Sequence, residues 1–226
     1  MWYKVKKIYQ WSNLVRPKWK PWANTLLYLP FSTDLNDHSG NSHNPSTYSS
    51  ASITTLNGVK CCYFNNGAME IPQFTTFNHS FTISLWYNIT NVYGTQIANQ
   101  WQAGTSKMMW LWLQAQRGRL TLGFYGNDYE TTTVPATNTW VHIVATFNIN
   151  NNYWVVYYNW NSVGSHTYST PNVQSWIFYI WPNAEAPSNT TWRMRGYVSN
   201  YIVENKARTA QEVTDYYNLT KWNYWL

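Results

Sequence analysis

Phe81-Thr-Ile-Ser-Leu-Trp-Tyr-Asn-Ile89 is the stretch on which the fold turns. Phe81, Ile83, Leu85, Tyr87 and Ile89 recur at every second position, and the residues between them are mostly polar. A period of two marks a strand with one face against a core. Trp140-Val-His-Ile-Val-Ala-Thr-Phe147 repeats the pattern with Val141, Ile143, Ala145 and Phe147. Trp154 to Trp160 places Trp154, Val156, Tyr158 and Trp160 together. Outward from these strands, everything after Trp22 reads as short β-type runs separated by Asn, Gly, Ser and Thr clusters. Turn signals fall at Asn66-Gly67, Arg117-Gly118 and Gly126-Asn127-Asp128. Met108–Leu113 and Trp176–Trp181 are apolar at every position. Such strands are covered on both sides, or use an aromatic face for something other than core. Spacing of this kind predicts an all-β antiparallel sandwich or jelly roll.

Near the C-terminus the pattern changes period. Thr209-Ala-Gln-Glu212 is a capping box, and Val213, Tyr216 and Tyr217 follow as an apolar stripe at helical spacing. The closing Trp222-Asn-Tyr-Trp-Leu226 is too aromatic to be left in water, and is expected to pack on the body or a neighbour. Cys61 and Cys62 are adjacent, which suits neither a disulfide nor a zinc site, so they are read as strand residues facing opposite ways.

The 226 residues suit one medium domain or two very small ones. Charged residues are 11% and aromatic residues 19%; a disordered chain would show the reverse balance. The apolar runs are far shorter than the roughly 20 residues that span a bilayer. Charge is segregated. Residues 1–24 carry Lys4, Lys6, Lys7, Arg16, Lys18 and Lys20 without an acid, whereas acids and bases balance in the remainder. Trp2, Tyr3, Ile8, Tyr9, Trp11, Trp19 and Trp22 interleave with these cations, and Pro17 and Pro21 keep the second half extended. Such an arm meets an acidic partner protein, an anionic surface or nucleic acid. Residues 1–24 are therefore read as an anchoring arm and 25–226 as the body. Its anchoring candidates are Trp2, Lys4, Lys6, Lys7, Trp11, Arg16, Lys18, Trp19, Lys20 and Trp22. The start shows no apolar run followed by a small-residue cleavage site, so Asn78, Asn88, Asn189 and Asn218 are not expected to carry glycans despite their Asn-x-Ser/Thr context.

The order of motifs resembles a known family. Leu27-Tyr-Leu-Pro-Phe31 with Asp34 and Asp37-His-Ser-Gly-Asn41 resembles the opening of the laminin-G-like, concanavalin A-like jelly rolls. Gly58 through Phe64-Asn-Asn-Gly67, with Glu70-Ile-Pro72, resembles their next strand pair. The Phe81 and Trp140 strands resemble the two best-recognised ones, and Arg195 to Ile202 with Ala207 to Val213 the closing strand and short helix. The resemblance covers about residues 26–219. It implies a sandwich of two curved antiparallel sheets that binds glycans or proteins, often with calcium, in a superfamily that includes glycosidases. Family members often carry acids where this chain has Asn66, Ser199 and Asn200. Calcium prefers charged oxygens, so only Asp34 and Asp37 remain as metal candidates. No tightly bound ion and no other cofactor is expected.

Catalysis is not expected either. Glycoside hydrolysis needs two carboxylates about 5–10 Å apart, and the only acids at i, i+2 spacing are Asp128 and Glu130, beside Gly126. They read as turn chemistry, and His142 as a packed, hydrogen-bonded histidine. The aromatic surplus supplies the glycan-facing candidates: Trp101, Trp110, Trp112, Tyr125, Asn127, Asp128, Trp160 and Trp181. Flat apolar faces with a polar edge suit sugar rings and protein interfaces alike. Modules of this kind resemble those on bacteriophage fibres, spikes and capsid decorations. The expectation is a homo-oligomeric virion surface protein (capsid decoration, head fibre, spike or tail component), held to other virion proteins by its arm. It would present the jelly roll to host surface glycans, with no membrane insertion, and with nucleic acid a lesser partner for the arm. The alternative is a cellular carbohydrate-binding or adhesion module, extracellular or at the cell surface.

Overall fold

The computed structural model describes residues 22–100, 107–113, 117–180 and 194–224. Strands β1 (Thr25–Leu29), β2 (Thr47–Leu56) and β3 (Val59–Ile71) come first. Then come β4 (Phe81–Ile89), β5 (Thr95–Gln100), β6 (Met109–Leu113), β7 (Leu120–Phe124) and β8 (Asn127–Glu130). β9 (Trp140–Asn148), β10 (Tyr153–Tyr158), β11 (Asn161–Thr167), β12 (Phe178–Ile180) and β13 (Met194–Glu204) follow. The helix α1 (Ala210–Thr220) and a 3₁₀ turn at Lys221–Asn223 close the described chain. No helix among the described residues is long and apolar enough to cross a membrane.

The ladders are antiparallel and run in the order β11-β10-β9-β4-β13-β3-β12-β5-β6-β7-β8, with β1 added to β13 and β2 to β3. This path folds back on itself into two layers. β11-β10-β9-β4-β13 makes one, and β12-β5-β6-β7-β8 the other. The 13-residue β3 crosses between them: Cys62–Gly67 pairs with β13, and Met69–Ile71 with β12. Near the end of the first half Asn66 sits at φ 55°, and the ladder to β2 slips between Ser49 and Ala51. Asn66-Gly67 is thus a bulge inside a strand, not the turn expected from sequence, because an extra residue bends a strand without ending it. The reversal between β2 and β3 lies at Asn57-Gly58, with φ 50° and 81°, as a two-residue hairpin requires.

The alternating residues of β4 and β9 point between the layers, where they meet Ile97 and Ala98 of β5, Met109, Leu111 and Leu113 of β6, and Leu120, Leu122 and Phe124 of β7. The Phe124 ring lies 5.2 Å from Phe147 and 5.6 Å from Trp154. Burying one such side chain contributes about 1.5–3 kcal/mol, which fixes strand register firmly. At the ends of the path, Tyr129 of β8 stacks on His166 of β11 at 5.1 Å. The fold is an all-β, concanavalin A-like jelly roll with one short C-terminal helix.

β4 is buried at every position, because α1 covers the face opposite the core. Val213, Tyr216 and Tyr217 are buried as the helical stripe predicts, and Thr209 and Glu212 form both halves of the capping box. The polar residues of the outer face become sockets. Thr82 Oγ1 donates to Lys206 O at 2.7 Å and accepts from Arg208 N at 2.9 Å. Trp86 Nε1 donates to Thr220 Oγ1 at 3.1 Å, and Ser84 Oγ lies 2.9 Å from His142 Nε2. Cys61 faces this outer layer and Cys62 the core; both are free thiols. Of the aromatic tail, Tyr224 is buried and stacks on Trp86 at 4.1 Å, while Trp222 is exposed.

Trp22, placed in the arm by sequence, packs on the body. Its carbonyl accepts from Thr25 N at 2.9 Å, its ring meets Tyr216 at 6.1 Å, and it is 40% exposed. The other anchoring candidates, Trp2, Lys4, Lys6, Lys7, Trp11, Arg16, Lys18, Trp19 and Lys20, lie outside the described residues.

Candidate functional site

The second layer has no described helix over its outer face, and there its registers build two rows. A bulge between Gln96 and Ala98 sends Ile97 and Ala98 both inward, leaving Gln96 and Asn99 on the outer face, where Asn99 Nδ2 donates to Gln96 Oε1 at 2.6 Å. Asn99 is paired with Trp110, Trp110 with Gly123, and Gly123 with Asp128. Beside that row, Gln96 is paired with Trp112, Trp112 with Thr121, and Thr121 with Glu130. Tyr179 and Glu70 extend the first row beyond Asn99. Alternation along β6 thus sends Met109, Leu111 and Leu113 into the core and both tryptophans outward.

Trp110 and Trp112 stack at 5.2 Å. Trp110 Nε1 reaches across β7 to donate to Asp128 Oδ1 at 2.5 Å. The reach depends on Gly123. A Cβ there would stand 2.9 Å from Asp128 Oδ1 and 2.5 Å from Asn127 O, and a strand glycine often marks such a close approach. Tyr125, at the β7–β8 hairpin, is 38% exposed and tilted 6.2 Å from the Trp110 ring. Trp110, Asp128 and Tyr125 form a corner in which the half-buried indole is held by its own polar edge and the other two side chains are exposed.

Asp128 and Glu130 sit on strand β8 and not in the turn, a correction that follows from the hairpin closing at Tyr125-Gly126. They share a face, but their surroundings differ. Asp128 is exposed along one side, yet the desolvation of its carboxyl against Gly123 and Trp110 pushes it up to about 6, outweighing the pull of the Trp110 hydrogen bond. For Glu130 desolvation also raises the carboxyl, but hydrogen bonds from Arg117 and Arg119, both 3.0 Å from Oε1, outweigh it and hold it below the usual range.

Three of the proposed glycan-facing residues, Trp110, Trp112 and Asp128, share this face, and Tyr125 stands at its edge. Trp112 is the least accessible, at 9% exposure. Asn127 belongs to the opposite register and donates to Ser169 Oγ at 3.0 Å. Trp160 is elsewhere. Asn159 turns the chain at φ 57°, which breaks the Trp154–Tyr158 alternation and carries Trp160 to the helix side, 4.8 Å from Tyr217. Trp101 and Trp181 lie outside the described residues. Sequence reasoning missed Gln96, Asn99, Gly123 and the Arg117–Glu130–Arg119 cluster; only Gly123, inside the apolar run Leu-Thr-Leu-Gly-Phe124, carried a local signal.

The calcium candidates do not fit an ion. Asp37 spends its carboxylate on Tyr28 N, Ser39 N, Ser39 Oγ and His43 N. Asp34 accepts from Asn36 N and Thr33 Oγ1 and contacts His38 Nε2 at 3.0 Å. Asn66 is held by Arg195 Nε at 2.6 Å, while Ser199 and Asn200 are tied to Tyr224 OH at 3.0 and 2.5 Å. Hydrogen bonds thus fasten Asn66 in β3 and Ser199 and Asn200 in β13. Among the described residues no three His, Cys, Asp or Glu side chains gather as metal ligands.

The second layer of this two-layer jelly roll carries Trp110 and Trp112 outward, with Gln96 and Asn99 buried beside them. The family model described as the concanavalin A-like lectin/glucanases superfamily matches residues 64–214, and the chain belongs to that superfamily. No curated protein matches it by sequence. Among solved structures it is similar to domain 4 of AbnA, a GH43 extracellular arabinanase from Geobacillus stearothermophilus, in complex with arabinotriose. That likeness has TM-score 0.67 and 18% identity over 85% of this chain and 97% of that one. The binding domain of Paraclostridial Mosquitocidal Protein 1 gives TM-score 0.64 and 17% identity, over 86% of this chain and 52% of that one. A structure of botulinum neurotoxin type C, whose cell entry depends on two ganglioside molecules, gives 0.62 and 13%, over 86% and 51%. The chain spans about half the length of these toxin chains. At such identities the likeness is one of fold.

Proposed function

We propose that the outer face of β5–β8 is a glycan-binding surface that does not cut its ligand. The observation that carries this reading is the corner of Trp110, Asp128 and Tyr125, with the Trp110 indole fixed at 2.5 Å by Asp128. Stacking on a sugar requires an immobile aromatic plane beside a hydrogen-bonding group, and pre-ordering that plane lowers the entropic cost of binding. The family supports the reading, as does the arabinotriose-bound arabinanase domain. Absence of hydrolysis is supported by Glu130, whose carboxylate is already engaged by two guanidinia. A glycan array probed with the full chain tests the proposal, with Trp110→Ala and Tyr125→Ala expected to lose at least tenfold in retention. Trp222→Ala, on the helix side, serves as the control. Loss of binding in Trp222→Ala but not in Trp110→Ala would place the site elsewhere. New reducing ends on a bound oligosaccharide would show cleavage.

We further propose that the chain is a homo-oligomeric component of a virion surface, attached to other virion proteins through the arm read at residues 1–24, of which Trp22 packs on the body. The run of Lys4, Lys6, Lys7, Arg16, Lys18 and Lys20 without an acid, interleaved with Trp2, Trp11 and Trp19, supports it. Removing residues 1–21 while keeping Trp22 is expected to abolish incorporation into particles and preserve glycan binding. Unchanged incorporation would favour the cellular adhesion module instead.

A further inference from the structure

We infer that the Trp110 face selects neutral, hydroxyl-rich oligosaccharides and rejects acidic ones, with the free oxygen of Asp128 as the selecting group. This rests on the glycan-binding reading above. Asp128 Oδ1 takes the Trp110 indole, and among the described residues Oδ2 accepts no hydrogen bond. An exposed carboxylate oxygen beside an aromatic plane has one chemistry: it accepts from a sugar hydroxyl and repels a sugar carboxylate. The rest of the row reinforces that choice. Glu70 stands at its far end, and between the two acids lie only Tyr179, Asn99, Trp110 and Gly123. The row carries no cation. The nearby guanidinia, Arg117 and Arg119, belong to the neighbouring row and are turned onto Glu130.

Several titratable groups surround Asp128. Glu130 shares its strand face, Arg117 and Arg119 hold Glu130, and Tyr125 lies at the hairpin. Tyr168 and Tyr129 lie behind the strand, the latter stacked on His166. None of them pairs with Oδ2. With the Asp128 carboxyl pushed up to about 6, its charge is present at neutral pH and fades as pH falls through that value. Discrimination against acidic sugars follows the charge: it is full above that pH and weakens below it.

The test is calorimetry on the full chain with a neutral oligosaccharide and the same oligosaccharide bearing a sialic or uronic acid. The neutral sugar is expected to bind at least tenfold more tightly at neutral pH. Asp128→Asn, which keeps an acceptor for Trp110 and removes the charge, is expected to shrink that ratio at least threefold. Lowering the pH of the unmodified chain through about 6 is expected to do the same, a readout that needs no variant. Equal or tighter binding of the acidic sugar, still lost in Trp110→Ala, would overturn the selectivity and leave the binding face standing. Binding of both sugars untouched by Trp110→Ala, or binding of neither, would overturn both.

Discussion

The indole of Trp22 lies over the guanidinium of Arg208, 4.4 Å from Cζ to the ring centroid. Tyr216 approaches the same group at 4.8 Å, and Arg208 Nε donates to Glu204 Oε2 at 2.6 Å with both side chains fully buried. Among the described residues Arg208 Nη1 and Nη2 and Glu204 Oε1 have no hydrogen-bond partner. The ring faces stand in for that missing partner, since cation–π attraction strengthens where water is excluded.

Removing one member of a buried pair leaves an uncompensated charge, which costs about 3–5 kcal/mol. Arg208→Met is expected to fall in that range by urea denaturation, and Trp22→Ala to lose about 2 kcal/mol. An unchanged midpoint in Trp22→Ala would mean that the residue is only a neighbour of the pair.

Asp37 ties together Tyr28, Ser39 and His43 with four hydrogen bonds. Asp37→Ala strips a charged acceptor from those backbone donors and is expected to cost about 1.5–3 kcal/mol. Because these bonds occupy the oxygens that calcium would need, excess EDTA is expected to leave the melting temperature unaltered. A melting temperature that falls with EDTA and returns with calcium would reverse this assignment.

The two thiols are expected to be inert in the native state. Desolvation pushes Cys61 up to about 11 and Cys62 further still, and the thiolate is the reactive form. A thiol-reactive dye should report no rapid labelling until the chain is unfolded, when both cysteines react. Fast labelling of the folded protein would show that one strand face opens.

Much of this fold was legible because burial enforces a period of two. Phe81 to Ile89 and Val141 to Phe147 face the core as their alternation requires, and the Thr209 cap marks the start of α1. What failed were positions where a single backbone angle decides. Asn66 at φ 55° bends a strand where Asn-Gly suggests a turn, and Asn159 at φ 57° sends Trp160 to the wrong side for the alternation. The face itself was half visible. Trp110 and Trp112 stood out by composition, but their neighbours Gln96, Asn99 and Asp128 come from other strands. Only the ladder registers bring them together. The polar side of β4 offered no sign of a helix above it, because Thr82 and Ser84 look the same whether they meet water or a buried hydrogen bond.

His142 gives the acid limit of the fold. Its ring is fully buried between Trp86, at 5.0 Å, and Tyr216, at 5.3 Å, with Nε2 on Ser84 Oγ. Desolvation, assisted by the charge of Arg208, lowers its pKa to about 3 despite the opposing hydrogen bond with the Asn159 backbone. The folded-state value lies below the 6.5 of an ordinary histidine. Between those two values the unfolded chain binds a proton that the folded chain refuses. Stability is therefore full above about pH 6.5 and falls as pH drops, by up to about 1.4 kcal/mol per pH unit from this one group. His142→Gln keeps a partner for Ser84 and does not titrate, so it should be less stable at neutral pH but show a shallower acid decline. The carboxyls held low, Glu130, Glu212 and Asp34, and the raised Asp128 act equally in both proteins and cancel in the difference. Urea midpoints measured from about pH 7 to 4 should converge for the two chains; parallel curves would mean that the imidazole accepts its proton inside the fold.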